Sequence, residues 1–430
     1  MEQFVVEGGY SLSGTVTPAG NKNAALAVLA ATLLTDEEVV LKNVPDIGDV
    51  ITLVELLRDL GVDIRKTGPY ELTVCARSLD KTFLKPDLFR KARGGFMFSG
   101  PLLARQGQAT VPRPGGDKIG RRPLDTHLHA LEALGARIQT NHIYEMRAPN
   151  GLKGADIFLG ERSVTGTENA VMAATLARGR TVIRNAASEP HVQELCHLLN
   201  RMGGRVSGIG TDKLTVDGVE GLGGGVHTIG PDYMEVGSFI GVAAVTNGEV
   251  RIQNAAPADM RCSLMTFRRL GVEVEIEGED IVVPKYQKLE IVPDVGNAIP
   301  KIDDDPWPGF PPDLMSTAIV IATQARGTVL FFEKMFEQRL YWLDRLIEMG
   351  AKIIICDPHR AVVVGPSKLY GEHLRSPDIR AGMALLMASL CAEGETVIDN
   401  IEQIDRGHEG IDKRLRALGA HIQRVPVPVS

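Results

Sequence analysis

The stretch PRPGGDKIGRRPLDTH (112–127) concentrates charge in a segment whose prolines and paired glycines predict a mobile loop. Its ionisable residues include Asp117, Lys118, Arg121, Arg122, Asp125 and His127. Most charge runs lie on the solvated surface, and a solvated surface loop is the alternative interpretation of this stretch. The rest of the chain favours a loop that meets an anion, because cations collect at equivalent positions elsewhere in the sequence.

Two further sites have residue types and positions suited to chemistry. TPAGNKNAAL places Lys22 at a predicted helix start, where the helix dipole favours an anion. DDDPWPGFPPDLMSTAIV ends a proline-rich loop with Asp313 in the first turn of an apolar helix. Asp313 is interpreted either as a helix cap or as a rigidly held general base. Asp303, Asp304 and Asp305 predict a solvated turn rather than a metal site, because no spaced ligands accompany them.

One sequence pattern occurs six times and indicates the elements that position these residues. Each copy has a turn, an alternating strand, a connection, an amphipathic helix, a glycine and another strand. In the third copy Val192, Leu195, Leu199 and Met202 share one helix face. The glycines predicted to end the six helices in left-handed caps are Gly61, Gly135, Gly203, Gly271, Gly350 and Gly419. At about 70 residues the copies exceed solenoid repeats, so they predict two lobes of three α/β units.

The connection between strand and helix carries charge in every copy. The charged residues at these six corners are Asp49, Asp117, Arg122, Asp125, Glu189, Asp259, Arg339, Asp405 and Arg406. The isolated acids Asp49, Glu189 and Asp259 are interpreted first as helix caps. An arginine at a helix start opposes the helix dipole, so each of the three arginines needs an anionic partner. Equivalent corners of a pseudo-symmetric lobe therefore predict an anion-binding site.

The glycine-rich segment GVEGLGGGVHTIGPD (218–232) lies between the third and fourth copies. No βαβ unit opens with these glycines and no helix follows closely enough to receive a pyrophosphate. The segment is therefore interpreted as a hinge and not as a dinucleotide fingerprint.

The bulk composition excludes several classes of protein. A net charge of −7 and a pI near 5.9 argue against nucleic acid as a partner. No apolar stretch approaches the roughly 20 residues of a membrane span, and we expect no secretory signal. The five scattered cysteines, most of them in apolar runs, predict reduced buried thiols, no zinc site and a cytoplasmic protein. A length of 430 residues predicts two domains.

Five motifs in a fixed order resemble those of one family. GNKNAAL, PGGDKIGRRPLDTH, SVTGTENAVMAA, FPPD and IDRGHEGIDKRLRALGA look like the UDP-N-acetylglucosamine enolpyruvyl transferases, over essentially the whole chain. The resemblance implies an α/β fold with two inside-out barrel lobes, each of three βαβ-type units in pseudo-three-fold arrangement. One lobe would span 22–229 and carry a lid loop at 112–122. The other, discontinuous lobe would combine 1–21 with 230–430.

The resemblance also implies a reaction and its residues. The enolpyruvyl group of phosphoenolpyruvate moves to the sugar's 3-hydroxyl through a tetrahedral intermediate, with release of phosphate and with neither cofactor nor metal. The implied phosphoenolpyruvate contacts are Lys22, Asn23, Arg93, Arg122, Arg380 and Arg406, with Asp378 orienting Arg406. The implied UDP-sugar contacts are Asn23, Arg93, Arg122, Pro123, Asp125, His127, Ser163, Val164, Asp313 and Arg339. The implied catalytic residues are Lys22, Arg122, Arg406, the base Asp313 and the loop residue Asp117.

Asp117 departs from the family pattern, which in many members has cysteine at the loop tip. We infer that Asp117 protonates the methylene carbon of phosphoenolpyruvate. Because fosfomycin alkylates the loop thiol in this family, we expect this chain to be insensitive to it. Glu161 stands where some relatives offer lysine to the nucleotide phosphates, with Arg162 beside it, and Gly410 replaces a common arginine.

The resemblance places the chain at the first committed step of peptidoglycan synthesis and leaves two alternatives open. One is the related enolpyruvyl transferase that acts on shikimate 3-phosphate. The other is a non-catalytic paralogue that binds a UDP-sugar. The expected partners are the two small-molecule substrates, without nucleic acid or membrane, for a monomer or weak homo-oligomer.

Overall fold

The computed structural model describes residues 2–91, 93–115 and 119–427, which divide into two units. We name as the N-lobe the described residues of 20–116 and 122–230, and as the C-lobe those of 1–19, 117–121 and 231–430. Each lobe encloses its own hydrophobic core. The C-lobe is thus assembled from stretches that are far apart in the sequence.

Regular structure fills both lobes. The strands are β1 (Glu2–Glu7), β2 (Ser13–Val16), β3 (Val39–Lys42), β4 (Asp63–Gly68), β5 (Glu71–Cys75), β6 (Gln108–Pro112), β7 (Arg137–Thr140), β8 (Ile143–Arg147), β9 (Asp156–Phe158), β10 (Arg180–Arg184), β11 (Val206–Ser207), β12 (Lys213–Asp217), β13 (Gly225–Thr228), β14 (Glu249–Ile252), β15 (Glu275–Glu277), β16 (Asp280–Val283), β17 (Lys301–Asp303), β18 (Gly327–Phe332), β19 (Lys352–Asp357), β20 (Arg360–Gly365), β21 (His373–Arg375), β22 (Glu395–Asp399) and β23 (His421–Pro426). The helices are α1 (Lys22–Ala31), α2 (Gly48–Asp59), α3 (Pro86–Phe89), α4 (Ser99–Gln106), α5 (Asp125–Ala133), α6 (Val164–Thr175), α7 (Pro190–Arg201), α8 (Tyr233–Val245), α9 (Arg261–Arg269), α10 (Met315–Gln324), α11 (Leu343–Glu348), α12 (Ile379–Cys391), α13 (Glu402–Asp405) and α14 (Ile411–Ala417). Short 3-10 helices lie at Thr32–Leu34, Arg93–Phe98, Pro257–Met260 and Pro312–Leu314.

The strands of the described residues form six sheets, three in each lobe. The N-lobe sheets have the orders β13-β3-β5-β4, β6-β8-β7 and β11-β12-β10-β9. The C-lobe sheets have the orders β15-β16-β14-β2, β17-β18-β20-β19 and β21-β22-β1-β23. Most of these sheets join an antiparallel set to one parallel partner at the edge, as in β13 with β3 and β17 with β18. The sheets are the repeated units that the sequence pattern predicts.

The centre of each lobe is occupied by helices that are apolar on nearly all sides. In the C-lobe α8, α10 and α12 pack against one another, and in the N-lobe α6 packs against α1 and α4. Almost every residue of α8 and α12 is buried. A helix that is hydrophobic all round belongs in an interior, so the sheets and the amphipathic helices lie outside it. The predicted inside-out α/β fold, with three repeated units in each lobe, is confirmed.

The six glycines predicted to end the outer helices do so in left-handed conformations, with φ between +86° and +105°. The predicted face of α7 is also confirmed, because Val192, Leu195, Leu199 and Met202 are all buried. A side chain at such a φ is strained, which explains why glycine recurs at this point of the pattern.

The segment 218–232 is more than the hinge predicted from its glycines. Residues Gly225–Thr228 form β13, which pairs in parallel with β3 from Val39 to Lys42. This pairing satisfies main-chain groups at the edge of the first repeat. The hinge interpretation is therefore wrong for that part of the segment.

The prediction of buried thiols holds fully only for Cys196. Cys75, Cys262 and Cys391 are partly exposed, and Cys356 is exposed. Cys356 lies on β19, the edge strand of its sheet, whose apolar residues are partly open to solvent. Within the described part of the chain, every helix is too short or too polar to cross a membrane.

Candidate active site

The start of α1 presents the predicted lysine. Asn21 caps the helix, its side-chain oxygen accepting a hydrogen bond of 2.8 Å from the N–H of Ala24. Lys22 is the first helical residue, and its Nζ lies 3.4 Å from Asp49 Oδ2. Asn23 follows in the same turn, half-buried. A mostly buried ammonium at the positive end of a dipole favours a nearby anion, and the carboxylate of Asp49 is one such anion.

Asp49 is the partner of this lysine and not a helix cap. The residue in the cap position of α2 is Ile47, and Asp49 lies in the first helical turn. The prediction that Asp49 caps its helix is therefore wrong, while Glu189 does occupy the cap position of α7. Asp259 lies inside the 3-10 helix Pro257–Met260, not at its cap. The sequence suggested a local role for Asp49, and the actual partner comes from another helix of the same lobe.

Arg93 holds the end of the charged loop. One of its terminal nitrogens donates to the carbonyl oxygen of Arg122 at 2.6 Å and approaches that of Pro123 at 3.5 Å. Burial, and then the neighbouring Arg122 guanidinium, lowers the pKa of Arg93 to about 10. Two guanidinium groups held close with one partly desolvated are stabilised by an anion.

His127 lies inside the N-lobe as a neutral side chain. Its Nδ1 is 3.1 Å from the amide nitrogen of Asn169, and its Nε2 is 3.0 Å from Thr165 Oγ1. Because the Asn169 amide donates, Nδ1 accepts and Nε2 carries the proton that it donates to Thr165. Burial, and then Arg93, lowers the pKa of His127 to about 3. The ring therefore fixes α5 to α6 and carries no charge.

The start of α6 lies beside this histidine. Ser163 caps the helix, its Oγ accepting a hydrogen bond of 3.2 Å from the N–H of Gly166, and Val164 is the first helical residue. Asp125 begins α5 and is exposed. Arg162, which stands next to Glu161, lies 3.3 Å from Asn185 Oδ1. Arg162 therefore has a partner within its own lobe.

Asp313 is held between two arginines in the C-lobe. It lies in the 3-10 helix Pro312–Leu314, just before α10. Arg339 donates to its Oδ1, and Arg380 Nε donates to its Oδ2 at 2.8 Å. Both arginine side chains are less than a tenth exposed, whereas that of Asp313 is 24% exposed.

This arrangement identifies the anionic partner that the sequence predicts for Arg339. Burial alone would lower the pKa of Arg339, but the carboxylates of Asp313 and Asp378 more than offset it and raise the pKa above its ordinary value. The predicted anionic partner of Arg339 is thus a carboxylate of the protein itself. Two cations keep Asp313 ionised and fix the direction of its oxygens.

Asp378 and Arg406 lie elsewhere in the same lobe. Asp378 caps α12, its Oδ1 accepting hydrogen bonds from the N–H groups of Arg380 at 2.8 Å and Ala381 at 3.0 Å. Arg406 ends α13 and donates to Gln403 Oε1 at 2.8 Å. These two hydrogen bonds of Asp378 thus order the turn that carries Arg380. The implied orientation of Arg406 by Asp378 stays a prediction.

The charged loop rejoins the described chain at Ile119. Glu337 Oε2 accepts a hydrogen bond of 3.1 Å from the N–H of Arg121, and the N–H of Gln338 donates to the carbonyl oxygen of Ile119 at 3.1 Å. Gly120 between them has a φ of +126°. Asp117, the predicted proton donor, lies outside the described residues.

The three acids Asp303, Asp304 and Asp305 do not form the predicted solvated turn. Asp304 is fully buried and accepts a hydrogen bond from the N–H of Lys334, whereas Asp303 and Asp305 both pair with the Lys334 ammonium at 3.2 Å. The alternation of β17 continues into this segment and turns its middle acid inward. In the described ranges, no three His, Cys, Asp or Glu side chains come together in a way that could hold a metal ion.

Sequence reasoning missed several residues that support the site. They are Thr165 and Asn169 behind His127, Glu337 beside the loop, and the buried Glu333. Thr165 and Asn169 lie within the motif SVTGTENAVMAA, so this motif could have indicated that they belong to the site. The others depend on contacts between distant parts of the chain.

Comparisons with known proteins agree over nearly the full length. The family model for EPSP synthase (3-phosphoshikimate 1-carboxyvinyltransferase) matches residues 6–415. The UDP-N-acetylglucosamine 1-carboxyvinyltransferase of Treponema denticola is 51% identical over 423 residues, which are 98% of this chain and 99% of that protein. The proteins of the same name from Bradyrhizobium diazoefficiens and Bacteroides fragilis are 52% and 51% identical, each over 99% of this chain and over 98% and 100% of their own.

Solved structures support the same fold at lower identity. The enolpyruvyl transferase NikO from Streptomyces tendae superposes with a TM-score of 0.88 at 22% identity, over 99% of both chains. An EPSP synthase from Acinetobacter baumannii gives a TM-score of 0.75 at 17% identity, over 99% of this chain and 100% of its own. The chain therefore belongs to the enolpyruvyl transferases, and within them to the family of the UDP-N-acetylglucosamine 1-carboxyvinyltransferases.

Proposed function

We propose that this enzyme transfers the enolpyruvyl group of phosphoenolpyruvate to the 3-hydroxyl of UDP-N-acetylglucosamine and releases phosphate, without a cofactor. The observation that carries the proposal is the identity of about half of all residues, over nearly the whole length, to proteins named for this reaction. Addition to the double bond gives a tetrahedral intermediate, and elimination of phosphate completes the transfer. The reaction would serve the first committed step of peptidoglycan synthesis in the cytoplasm.

Cationic side chains suit phosphoenolpyruvate, which carries up to three negative charges. We assign Lys22, Arg122 and Arg406 to its phosphate and carboxylate groups, with Arg93 and Arg380 as further cations. The lowered pKa of Arg93, caused first by burial and then by Arg122, supports this assignment, because a nearby dianion would relieve both effects. Charge-assisted hydrogen bonds from guanidinium groups to phosphate are short and strong.

Asp313 is proposed to take the proton from the attacking hydroxyl group. The two prolines before it and the arginines on its oxygens restrict its motion, and a quarter of the side chain remains accessible. A general base must be ionised and correctly aimed before the substrate arrives. Arg339 and Arg380 meet both conditions.

Asp117 is proposed to protonate the methylene carbon of phosphoenolpyruvate. A free aspartic acid has a pKa near 3.9, so holding a proton near neutrality needs a rise of roughly 3 units, or about 4 kcal/mol. Lys118, Arg121 and Arg122 alone act in the opposite direction. Bound phosphate and carboxylate groups, with water excluded by the loop, would raise the pKa of Asp117. The acid is therefore competent only when both the loop and the donor are in place.

The UDP-sugar is assigned to the ten positions that the family resemblance implies. The assigned contacts are Asn23, Arg93, Arg122, Pro123, Asp125, His127, Ser163, Val164, Asp313 and Arg339. The neutral state of His127 and its two hydrogen bonds within the lobe suit a residue that shapes this surface and supplies no charge.

The first experiment measures phosphate release with two acceptors. We expect turnover with phosphoenolpyruvate and UDP-N-acetylglucosamine, and none above background with shikimate 3-phosphate. The reverse preference would identify the enzyme of the shikimate 3-phosphate reaction. Binding of the UDP-sugar without turnover would identify a non-catalytic paralogue.

The second experiment tests the loop residue. Asp117→Asn keeps the shape of the side chain and removes its proton, so kcat falls by about 10²–10⁴-fold. Excess fosfomycin leaves the wild-type enzyme active, whereas Asp117→Cys becomes sensitive because a thiolate is the better nucleophile. An adduct on Asp117, or normal turnover of Asp117→Asn, contradicts the assigned role.

A further inference from the structure

Two acidic residues meet in the interior of the C-lobe at the ends of paired strands. Asp303 at the end of β17 lies opposite Phe332 at the end of β18 in a parallel register. The next residues along the two chains, Asp304 and Glu333, are both fully buried. Their side chains therefore leave neighbouring strands at the same level and turn towards the same interior.

Each carboxyl group has one oxygen in contact with the main chain. Asp304 Oδ1 accepts a hydrogen bond of 2.5 Å from the N–H of Lys334, and Glu333 Oε1 accepts one of 3.2 Å from the N–H of Phe336. The other oxygens, Asp304 Oδ2 and Glu333 Oε2, are buried and receive no N–H or O–H hydrogen bond from the described residues. Two carboxyl groups in contact in a dry interior cannot both be ionised. A single proton between the two remaining oxygens satisfies both of them.

The electrostatic environment agrees with this geometry. Burial, and then Asp304, raises the pKa of Glu333 to about 9. Arg339 acts in the opposite direction but is already paired with Asp313. Lys334 directs its ammonium to Asp303 and Asp305 on the solvent side. From the turn between β19 and β20, His359 Nδ1 lies 2.7 Å from the carbonyl oxygen of Glu333 and does not neutralise the carboxyl group.

Asp304 and Glu333 lie at the beginnings of two loops, and the far ends of these loops meet at the candidate active site. The loop that begins at Asp304 leads through a proline-rich stretch to Asp313, and the loop that begins at Glu333 leads to Arg339. The far ends of these loops are joined by the hydrogen bond from Arg339 to Asp313 Oδ1. Whatever fixes the bases of the loops therefore also fixes how the arginine approaches the carboxylate.

We propose that Glu333 and Asp304 share one proton, and that this carboxyl pair is a positioning clamp that holds Arg339 against Asp313. Glu333 donates its O–H to the Asp304 carboxylate, while the other oxygen of each residue orders the turn that follows β18. Loss of the proton leaves two negative charges in contact in the interior, and the two loop bases separate. The functional part of this inference rests on the proposed role of Asp313, but the shared proton does not.

The test compares two substitutions of Glu333 with the wild-type enzyme. Glu333→Gln supplies an N–H in place of the O–H and cannot ionise, so it keeps kcat within about threefold at neutral pH. Glu333→Ala removes the clamp, and kcat falls by about tenfold or more while the KM for phosphoenolpyruvate changes little. Glu348→Gln on α11, an exposed glutamate paired with Arg345, is the matched control and leaves both constants unchanged. Rescue by glutamine but not by alanine separates positioning from mere packing.

The pH profile gives a second measure of the same proton. In the wild-type enzyme kcat falls as the pH rises through about 9, and in Glu333→Gln this alkaline loss is reduced or shifted upwards. Identical alkaline limbs in the two enzymes overturn the clamp.

A substrate-free measurement keeps the proposal testable if the chain proves to act on another acceptor. Infrared spectra of protein labelled with ¹³C in the glutamate carboxyl groups are compared between the wild type and Glu333→Gln at neutral pH. Burial also raises the pKa of Glu168, so its band is common to both spectra and cancels in their difference, which shows the C=O stretch of protonated Glu333 alone. In Asp304→Asn the same band titrates at a lower pH, because the neighbouring charge has gone. Absence of this band from the difference spectrum refutes the shared proton, whatever the reaction assay shows.

Discussion

Replacing Asp313 by asparagine separates two roles that this carboxylate could have. In the structure each of its oxygens accepts a hydrogen bond from a buried guanidinium, Arg339 on one side and Arg380 on the other. Asparagine has almost the same shape and keeps one accepting oxygen, but it cannot take up a proton. The substitution therefore removes the base and leaves two buried cations without their counterion.

The two consequences have different magnitudes. Loss of a general base lowers kcat by about 10²–10⁴-fold. Removing one partner of a fully buried ion pair costs about 3–5 kcal/mol. The side chain of Asp313 is 24% exposed, so solvent screens part of the charge and we expect a loss of about 2–3 kcal/mol in the free energy of unfolding. As long as the variant remains folded, the loss of stability does not by itself lower kcat to this extent. A fall in kcat of this size therefore reports the loss of the base.

The assay measures single-turnover phosphate release together with denaturant unfolding, for Asp313→Asn and for Asp305→Asn as control. Asp305 lies in the same loop, but its side chain is 61% exposed and pairs with Lys334, so both quantities should stay near wild type. Binding of the UDP-sugar should weaken by less than about tenfold in Asp313→Asn, because its hydrogen-bonding shape persists. Turnover within about threefold of wild type in a destabilised Asp313→Asn would refute the base and leave only a structural counterion.

Three further changes test the N-lobe and the loop. The pKa of about 3 for His127 lies below its unfolded value near 6.5, so the unfolded chain binds an extra proton between these values and stability falls with falling pH. Denaturant titration should show a loss of about 2 kcal/mol from about pH 6.5 to about pH 5, and a smaller loss in His127→Gln; equal losses contradict this pKa. Gly120→Ala puts a Cβ against Glu337 Oε2 at a φ of +126°, so kcat/KM should fall by about tenfold, while Gly221→Ala, whose Cβ meets none of the described atoms within 4 Å, should match wild type. Arg93→Lys removes the guanidinium nitrogen that donates to the carbonyl oxygen of Arg122, and steady-state kinetics should give a KM for phosphoenolpyruvate raised about tenfold; an unchanged KM argues against Arg93 as a phosphoenolpyruvate contact.

The repeated architecture was predictable because its determinants are local. Alternation in a strand, a 3.6-residue apolar period and a glycine at the left-handed end of a helix all lie within one stretch of about 30 residues. The glycine of every repeat adopts the predicted positive φ, as at Gly61 and Gly203. The start of α1 at Lys22 followed from the same local reasoning.

The site was predictable only in part, since its pairings join distant parts of the chain. Local reasoning makes Asp49 a helix cap, yet its partner Lys22 lies 27 residues earlier. Arg380 reaches Asp313 across 67 residues, which no spacing rule anticipates. The burial of Asp304 depends on which face of β17 meets the core, and a run of three acids hides that alternation.

The position of β1 has a consequence for the order in which the protein can form. This strand lies between β22 and β23, which come much later in the chain and are therefore synthesised after it. β2 likewise pairs with β14, whose residues are made more than two hundred positions later. During synthesis the sheets of the N-lobe can therefore form before β1 and β2 have strands to pair with. The C-lobe is completed only when β23 has been released, so removal of β23 exposes an edge of β1.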